Sequence, residues 1–187
     1  MIELPEDLRQ IFDTVGALYR SDRARVAEAI ASNLLELERF RVYLPPPNGR
    51  PYGRRALYQT ADMEVMLMNW ALGGSCLPHD HGASEGWVKV LCGTSTHRVF
   101  SVDQTAPVLK ETQMIGDAVF YAKSGLVHSM ANETTDPLVT LHFYFPPIHA
   151  MEVFDPSALR SAIVADDCGA WWPDSEDQIV SLRSLTG

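Results

Sequence analysis

The alternation of short β-type segments with turns most constrains what this chain can fold into. Between residues 56 and 145, runs rich in β-branched and aromatic residues are separated by turn-forming residues. The runs are residues 56–59, Glu64–Trp70, 87–91, 97–102, 118–122 and 139–145, and the turns fall at 61–62, 73–75, 103–104, 124–125 and 135–137. Many short strands at this spacing are typical of an antiparallel sandwich or barrel. We therefore expect a mainly β fold.

A helical segment precedes these strands. Over residues 6–41, apolar residues recur at i, i+3, i+4 and i+7 in two stripes, and Ser21-Asp22 between them suits a helix cap. A proline-rich run at 45–49 ends this pattern. We predict one domain of 187 residues: N-terminal helices at 1–43 packed on a β-barrel core at 44–154, then a C-terminal extension at 155–187. The extension reads as turns and short elements, with Trp171 and Trp172 packing back on the barrel.

Charge and cysteine content exclude several classes of protein. The net charge is −9 and no basic run occurs, which argues against nucleic acid or an anionic membrane as partner. No apolar stretch reaches the ~18 residues that suggest a transmembrane helix, and residues 1–7 lack the features of a signal peptide. Cys76, Cys92 and Cys168 suit free thiols in a reducing compartment. We expect a cytoplasmic protein and leave its oligomeric state open.

Four histidines are the candidate functional residues. His79 and His81 are two residues apart, so on a strand both imidazoles point to one face and can chelate one metal ion. Such a pair alone is equally compatible with two half-exposed histidines on a loop. His128 follows Gly125-Leu126-Val127, and His142 lies in the run at 139–145.

Glycines frame these histidines as in the cupin superfamily of small β-barrels, which the chain resembles. The first frame is Gly73, His79-x-His81 and Gly93, and the second is Gly116-Asp117 followed by Gly125-x-x-His128-x-x-x-Asn132. The resemblance implies a cupin barrel, also called a double-stranded β-helix or jelly roll. It also implies a metal held by His79, His81 and His128.

The resemblance leaves two candidates for a fourth ligand position. Many cupins add a glutamate three or four residues after the second histidine, and Glu85 lies at the shorter spacing. The spacing to the closing glycine of the frame, six intervening residues before Gly93, selects Gly86 instead. Since neighbouring strand residues face opposite ways, only one of the two can point inward. If it is Gly86, three neutral histidines form the site without a carboxylate, an arrangement that can bind a thiolate and dioxygen together.

Four segments resemble a particular cupin branch, the cysteine dioxygenase family of thiol dioxygenases. They are Tyr-x-Arg at 52–54, His-Asp-His at 79–81, Gly-x-x-His at 125–128 and Leu-His-x-Tyr-x-Pro-Pro at 141–147. The family implies Fe(II) as the cofactor. It also implies a substrate carboxylate bound by Arg54, with Tyr52 favoured over Tyr58 as an additional contact.

The resemblance also assigns a catalytic series. Thr140, His142 and Tyr144 alternate along one run, so they share a face and can form a hydrogen-bonded relay that orients the phenol. The alternative is a buried polar trio that satisfies its own hydrogen bonds. Animal members carry a cysteine at the position of Gly86 that crosslinks to the tyrosine, so we expect Tyr144 to be unmodified here.

The sequence therefore predicts an Fe(II) thiol dioxygenase that oxidises a small carboxylated thiol with O2. L-cysteine, oxidised to its sulfinate, is the leading substrate. The alternatives are a dioxygenase for 3-mercaptopropionate or mercaptosuccinate, and a metal-binding cupin without catalysis. The partners implied are the thiol and O2.

Overall fold

Eleven strands and two α-helices make up the part of the chain that the computed structural model describes, residues 3–32, 34–101 and 110–185. The helices are α1 (Glu6–Ser21) and α2 (Val26–Ala31), with short 3-10 helices at Arg23–Arg25, Leu37–Arg39, Arg41–Tyr43 and Glu176–Gln178. The strands are β1 (Tyr52–Gln59), β2 (Glu64–Trp70), β3 (Glu85–Cys92), β4 (Thr94–Val99), β5 (Lys110–Ile115), β6 (Val119–Ala122), β7 (His128–Ala131), β8 (Leu138–Phe145), β9 (Glu152–Asp155), β10 (Arg160–Val164) and β11 (Ile179–Ser184).

The strands form one five-stranded sheet and two three-stranded sheets, and all strand pairs within them are antiparallel. The larger sheet has the order β1-β2-β8-β3-β6, and the smaller ones have the orders β5-β4-β7 and β11-β10-β9. Residue His79 bridges the two smaller sheets, because it pairs with His128 of β7 on one side and with Val153 of β9 on the other. The candidate ligand segment therefore lies where these two sheets meet.

Strand alternation divides β8 between two apolar cores. Leu141 and Phe143 face the helices, where Phe12 of α1 packs edge-on against Phe143 with ring centroids 5.8 Å apart. Thr140, His142 and Tyr144 face the opposite side, toward the barrel interior. The helices thus cover the outer face of the five-stranded sheet, and the polar series lies on its inner face.

The helical prediction over 6–41 is only partly matched. The second α-helix ends at Ala31, and the chain continues through 3-10 helices, so Leu37 of the predicted stripe lies outside it. Ser21 is the last residue of α1, but no side-chain capping bond forms at Asp22. None of the helices described is long and apolar enough to cross a membrane.

The strand predictions hold best in the larger sheet. The bounds of β2 match, and β1, β3, β6 and β8 differ from their runs by four residues or fewer at an end. The run at 97–102 begins inside β4, which ends at Val99, and Val102 and the predicted turn at 103–104 lie outside the described residues. The extension, predicted as turns and short elements, contains the short strands β10 and β11, and Trp171 packs edge-on against Tyr52, as predicted for packing on the barrel. Strand β9 crosses the predicted boundary at residue 154.

Candidate metal centre and substrate pocket

Three buried histidines from two distant segments meet inside the barrel. His79 and His128 exchange backbone hydrogen bonds, with N–O distances of 2.9 and 3.0 Å, which holds the ligand segment beside β7. One ring nitrogen from each of His79, His81 and His128 lies within 4.8 Å of the others. This is the group of metal-ligating side chains found among the described residues, and it matches the triad expected from the sequence.

Hydrogen bonds fix which ring nitrogen of His79 is free. Its Nδ1 lies 2.9 Å from the Leu77 carbonyl oxygen, which can only accept, so Nδ1 carries the proton and Nε2 keeps a lone pair. The Nε2 atoms of His81 and His128 lie 3.1 Å apart. A single cation can bind both nitrogens when neither of them carries a proton.

Burial keeps the three imidazoles neutral. It lowers the pKa of His79 to about 4, and burial together with neighbouring histidines holds the pKa values of His81 and His128 well below the ordinary value. The neutral imidazole is the form that binds metal. The residues present therefore fit a transition metal.

A further histidine, His97, supports this centre and was not among the four candidates singled out from the sequence. His97 of β4 is buried, and its Nε2 lies 2.7 Å from Nδ1 of His128. Such a contact orients a ligating ring and fixes its tautomer. The sequence placed His97 in a strand run, but its approach to His128 depends on the pairing of β4 with β7, which no local pattern reveals.

Strand parity decides between Glu85 and Gly86. The Glu85 carboxylate points away from the histidines, accepts a 2.7 Å hydrogen bond from the Tyr19 hydroxyl and also binds Arg23 and Tyr121. Gly86 faces inward, since a β-carbon placed on it would lie 2.8 Å from Cδ1 of Tyr144. The site therefore contains three histidines without the glutamate.

The polar series on β8 forms a continuous chain of hydrogen bonds. Trp70 Nε1 donates to Thr140 Oγ1 at 2.9 Å, Thr140 Oγ1 lies 2.8 Å from His142 Nε2, and His142 Nδ1 lies 2.8 Å from the Tyr144 hydroxyl. Because the indole can only donate, the Thr140 proton remains for His142, which then donates from Nδ1 to Tyr144. Trp70 was not predicted, since it reaches Thr140 across the β2–β8 pairing.

The two titratable groups in this hydrogen-bonded series, His142 and Tyr144, stay uncharged. Burial lowers the pKa of His142 to about 3 and raises that of the Tyr144 hydroxyl well above its ordinary value. The neutral phenol keeps its proton. With its oxygen accepting from His142, Tyr144 can donate that proton into the cavity that it shares with His79 and His81.

A cavity joins His79 and His81 to a single cationic side chain, Arg54. The residues lining it are Tyr52, Arg54, Met66, Met68, His79, His81, Tyr144, Ile148, Met151, Ala165, Asp166, Cys168 and Gly169. Arg55, the next residue, does not line it. Tyr52 does, whereas Tyr58 bonds to Asp13 on the helix side of the sheet. The cavity therefore contains a metal-binding group, an apolar belt and one carboxylate-binding group.

Comparison with known proteins decides the family. The model of the family described as cysteine dioxygenase type I matches residues 3–157. The chain belongs to the cysteine dioxygenase type I family. A cysteine dioxygenase type 1 from Danio rerio is 24% identical over 172 residues, which cover 81% of this chain and 80% of that protein.

The cysteine dioxygenase family is one of metal-dependent thiol dioxygenases, so this chain is an oxidoreductase of that type with a histidine metal site. Its fold is a cupin barrel. A Klebsiella pneumoniae protein of the double-stranded β-helix type superposes with a TM-score of 0.52 at 19% identity, covering 64% of this chain and 95% of that one. The antiparallel sheets agree with this assignment, so the predicted fold is confirmed.

Proposed function

We propose that the protein is a non-haem Fe(II) dioxygenase that converts L-cysteine and O2 into cysteine sulfinate. The single observation that supports this best is the position of Arg54, which lines the same cavity as His79, His81 and Tyr144. A carboxylate on the guanidinium and a thiol near the histidines fit a small carboxylated thiol. Both oxygen atoms of O2 become bonded to the substrate sulfur, so no external reductant is needed.

His79, His81 and His128 would hold the iron. Imidazole ligands alone do not select iron over zinc or nickel, so Fe(II) rests on family membership. When bound, the metal supplies open positions at which thiolate and dioxygen meet. The protein contributes the shape of the cavity and its largely apolar lining.

Arg54 and Tyr144 would act on the substrate directly. Arg54 fixes the carboxylate, which places the thiol near the histidines. The Tyr144 hydroxyl, oriented by the Trp70–Thr140–His142 series, donates a hydrogen bond to dioxygen or to the substrate sulfur. A metal-binding cupin without catalysis has no use for this series, so the catalytic assignment is preferred.

Other substrates of the same class are 3-mercaptopropionate and mercaptosuccinate. A cytoplasmic location is also proposed, supported by Cys76, Cys92 and Cys168, which form no disulfide.

Oxygen consumption with a panel of thiols tests this proposal. Apo-protein reconstituted with Fe(II) should consume O2 with L-cysteine and release its sulfinate, whereas zinc-loaded protein should not. Equal turnover with zinc would exclude a redox role for the metal. Cysteamine, which lacks the carboxylate, should be a poor substrate, and oxidation of cysteamine at the rate of L-cysteine would contradict the assignment of Arg54.

A further inference from the structure

One wall of the pocket comes from a part of the chain that the family model does not match. The match ends at residue 157, yet Ala165, Asp166, Cys168 and Gly169 line the cavity that contains His79. We refer to residues 165–170 as the C-terminal wall. These residues lie beyond the region that the family model matches.

The main chain of the C-terminal wall holds the proposed carboxylate-binding residues. Arg54 Nη1 donates to the carbonyl oxygen of Cys168, and Nη1 and Nη2 each lie 3.4 Å from the carbonyl oxygen of Asp166. The backbone N–H of Ala170 donates to the Tyr52 hydroxyl at 2.7 Å. Within the described residues, Nε–H of Arg54 has no partner and stays available to a ligand. A carboxylate bound there would lie close to Asp166.

The side chain of Asp166 brings a negative charge to this place. Its two oxygens lie 3.0 and 2.9 Å from Nδ1 of His149, which holds the carboxylate at the rim. Burial is the main cause that raises the pKa of the Glu64 carboxyl; the Arg54 charge lowers this pKa, and the Asp166 charge adds a smaller rise, so its field reaches inward as far as Glu64. Glu64 pairs with Tyr144 across β2 and β8.

We propose that Asp166 is a specificity-determining residue that selects against thiols with a second carboxylate. The inference rests on the proposed function, in which Arg54 binds the first carboxylate. Among the described residues that line the cavity, no side chain other than Arg54 is cationic, so a second carboxylate would find no further cation in the cavity and would be repelled by the Asp166 carboxylate. An α-ammonium group would be attracted instead.

Three thiols separate these effects because they differ by one charged group. L-cysteine is 3-mercaptopropionate with an added ammonium, and mercaptosuccinate is 3-mercaptopropionate with an added carboxylate. The test measures kcat/KM of the iron-loaded protein for all three, in the wild type, Asp166→Asn and Asp167→Asn. Asp167 is an adjacent exposed acid that does not line the cavity, so its variant is a matched control.

In Asp166→Asn, the mercaptosuccinate to 3-mercaptopropionate ratio of kcat/KM should rise by about threefold to fivefold, the scale expected for a half-exposed charge. The L-cysteine to 3-mercaptopropionate ratio should fall. Both ratios should stay unchanged in Asp167→Asn, and the Asp166→Asn shift should shrink in 1 M salt. A purely structural role would alter all three rates together and leave the ratios constant.

Two results would overturn the inference alone: unchanged ratios in Asp166→Asn, or equal shifts in both variants. If the wild type oxidises none of the three thiols, the proposed function fails and the inference fails with it. The two failures are therefore distinguishable.

Discussion

Arg54 and Arg55 are neighbours on β1, and strand geometry gives them different environments. Arg54 lines the cavity and contacts the carbonyl oxygens of Asp166 and Cys168, whereas Arg55 does not reach the cavity. The sequence favoured Arg54 through its place in Tyr-x-Arg, and the structure places Arg54 in the cavity lining, while its role in binding a carboxylate stays a prediction.

Replacing Arg54 should weaken the binding of carboxylated thiols selectively. A charge-assisted bidentate contact contributes about 2–4 kcal/mol, so Arg54→Ala should raise KM for L-cysteine strongly while iron content is retained. Arg55→Ala is the matched control, and its KM for L-cysteine should equal that of the wild type. Steady-state kinetics with metal analysis measure both effects, and equal losses in the two variants would contradict the assignment.

Removing the Tyr144 hydroxyl should slow turnover without loss of metal. Tyr144→Phe keeps the ring but deletes the donor at the end of the hydrogen-bonded chain, so kcat should fall by about 10²-fold, a typical acid–base contribution. Tyr58→Phe, whose hydroxyl bonds to Asp13 outside the barrel, should leave kcat unchanged. If Tyr144→Phe were fully active, the tyrosine would be a packing residue.

The sequence located the residues of the site that are marked by spacing, and it missed those that depend on distant pairing. His79 and His81 follow from the period of a strand, and His128 from its glycine frame. His97 and Trp70 contribute through strands that pair far from them in sequence, and Asp166 lies beyond the motif-bearing region. No local pattern distinguishes such residues from ordinary core or surface positions.

Among the elements, the polar cluster around Glu85 joins the helical layer to β3. The Glu85 carboxylate, largely buried, accepts bonds from Tyr19 of α1, from Arg23 in the following 3-10 helix and from Tyr121 of β6. Arg23 also lies over the rings of Tyr19 and Trp87. The residue that competed for a metal-binding role thus has a structural one.

Glu85→Ala should therefore destabilise the fold while leaving metal binding intact. Loss of the carboxylate leaves several partly buried donors unpaired, at a cost of about 1–3 kcal/mol in the free energy of unfolding. Glu28→Ala removes an exposed ion pair with Arg25 and should cost about 0.5 kcal/mol or less. Urea titration and metal analysis measure the two effects, and a loss of metal in Glu85→Ala would show that the carboxylate is a ligand.

Element boundaries were predictable where burial is strong on both faces. Strand β2 is buried at all but one position, and its bounds match the apolar run. Strand β5 alternates between exposed and half-buried residues and carries Lys110 and Glu111, so its composition resembles a loop. This segment is a strand because its backbone pairs with the edge of β4, and the sequence does not reveal that pairing.

At the scale of the whole molecule, buried imidazoles make stability dependent on pH. His142 titrates near pH 3 in the folded state but near the ordinary 6.5 when unfolded. The contribution of neutral His142 to the free energy of unfolding is fully present above pH 6.5. It is lost as the pH falls toward 3, because the unfolded state binds the proton first. By pH 5 the loss amounts to about 2 kcal/mol from this one residue.

We therefore expect the free energy of unfolding to fall between pH 7 and pH 5, with a smaller fall in His142→Gln. Urea titrations of both proteins at pH 7, 6 and 5 give the comparison. Identical pH slopes in the two proteins would show that His142 is already protonated or exposed in the folded state.

Sulfur lines the space in which this enzyme handles dioxygen. Met66, Met68 and Met151 line the cavity together with Cys168, and buried Cys76 lies 3.9 Å from Nδ1 of His79. A thioether is flexible and apolar, which suits a pocket for small thiols, but it is also readily oxidised to a polar sulfoxide. An oxidant that does not react with the substrate would therefore react first with the methionines that line the cavity. We therefore expect the enzyme to lose activity in proportion to the number of turnovers rather than to elapsed time.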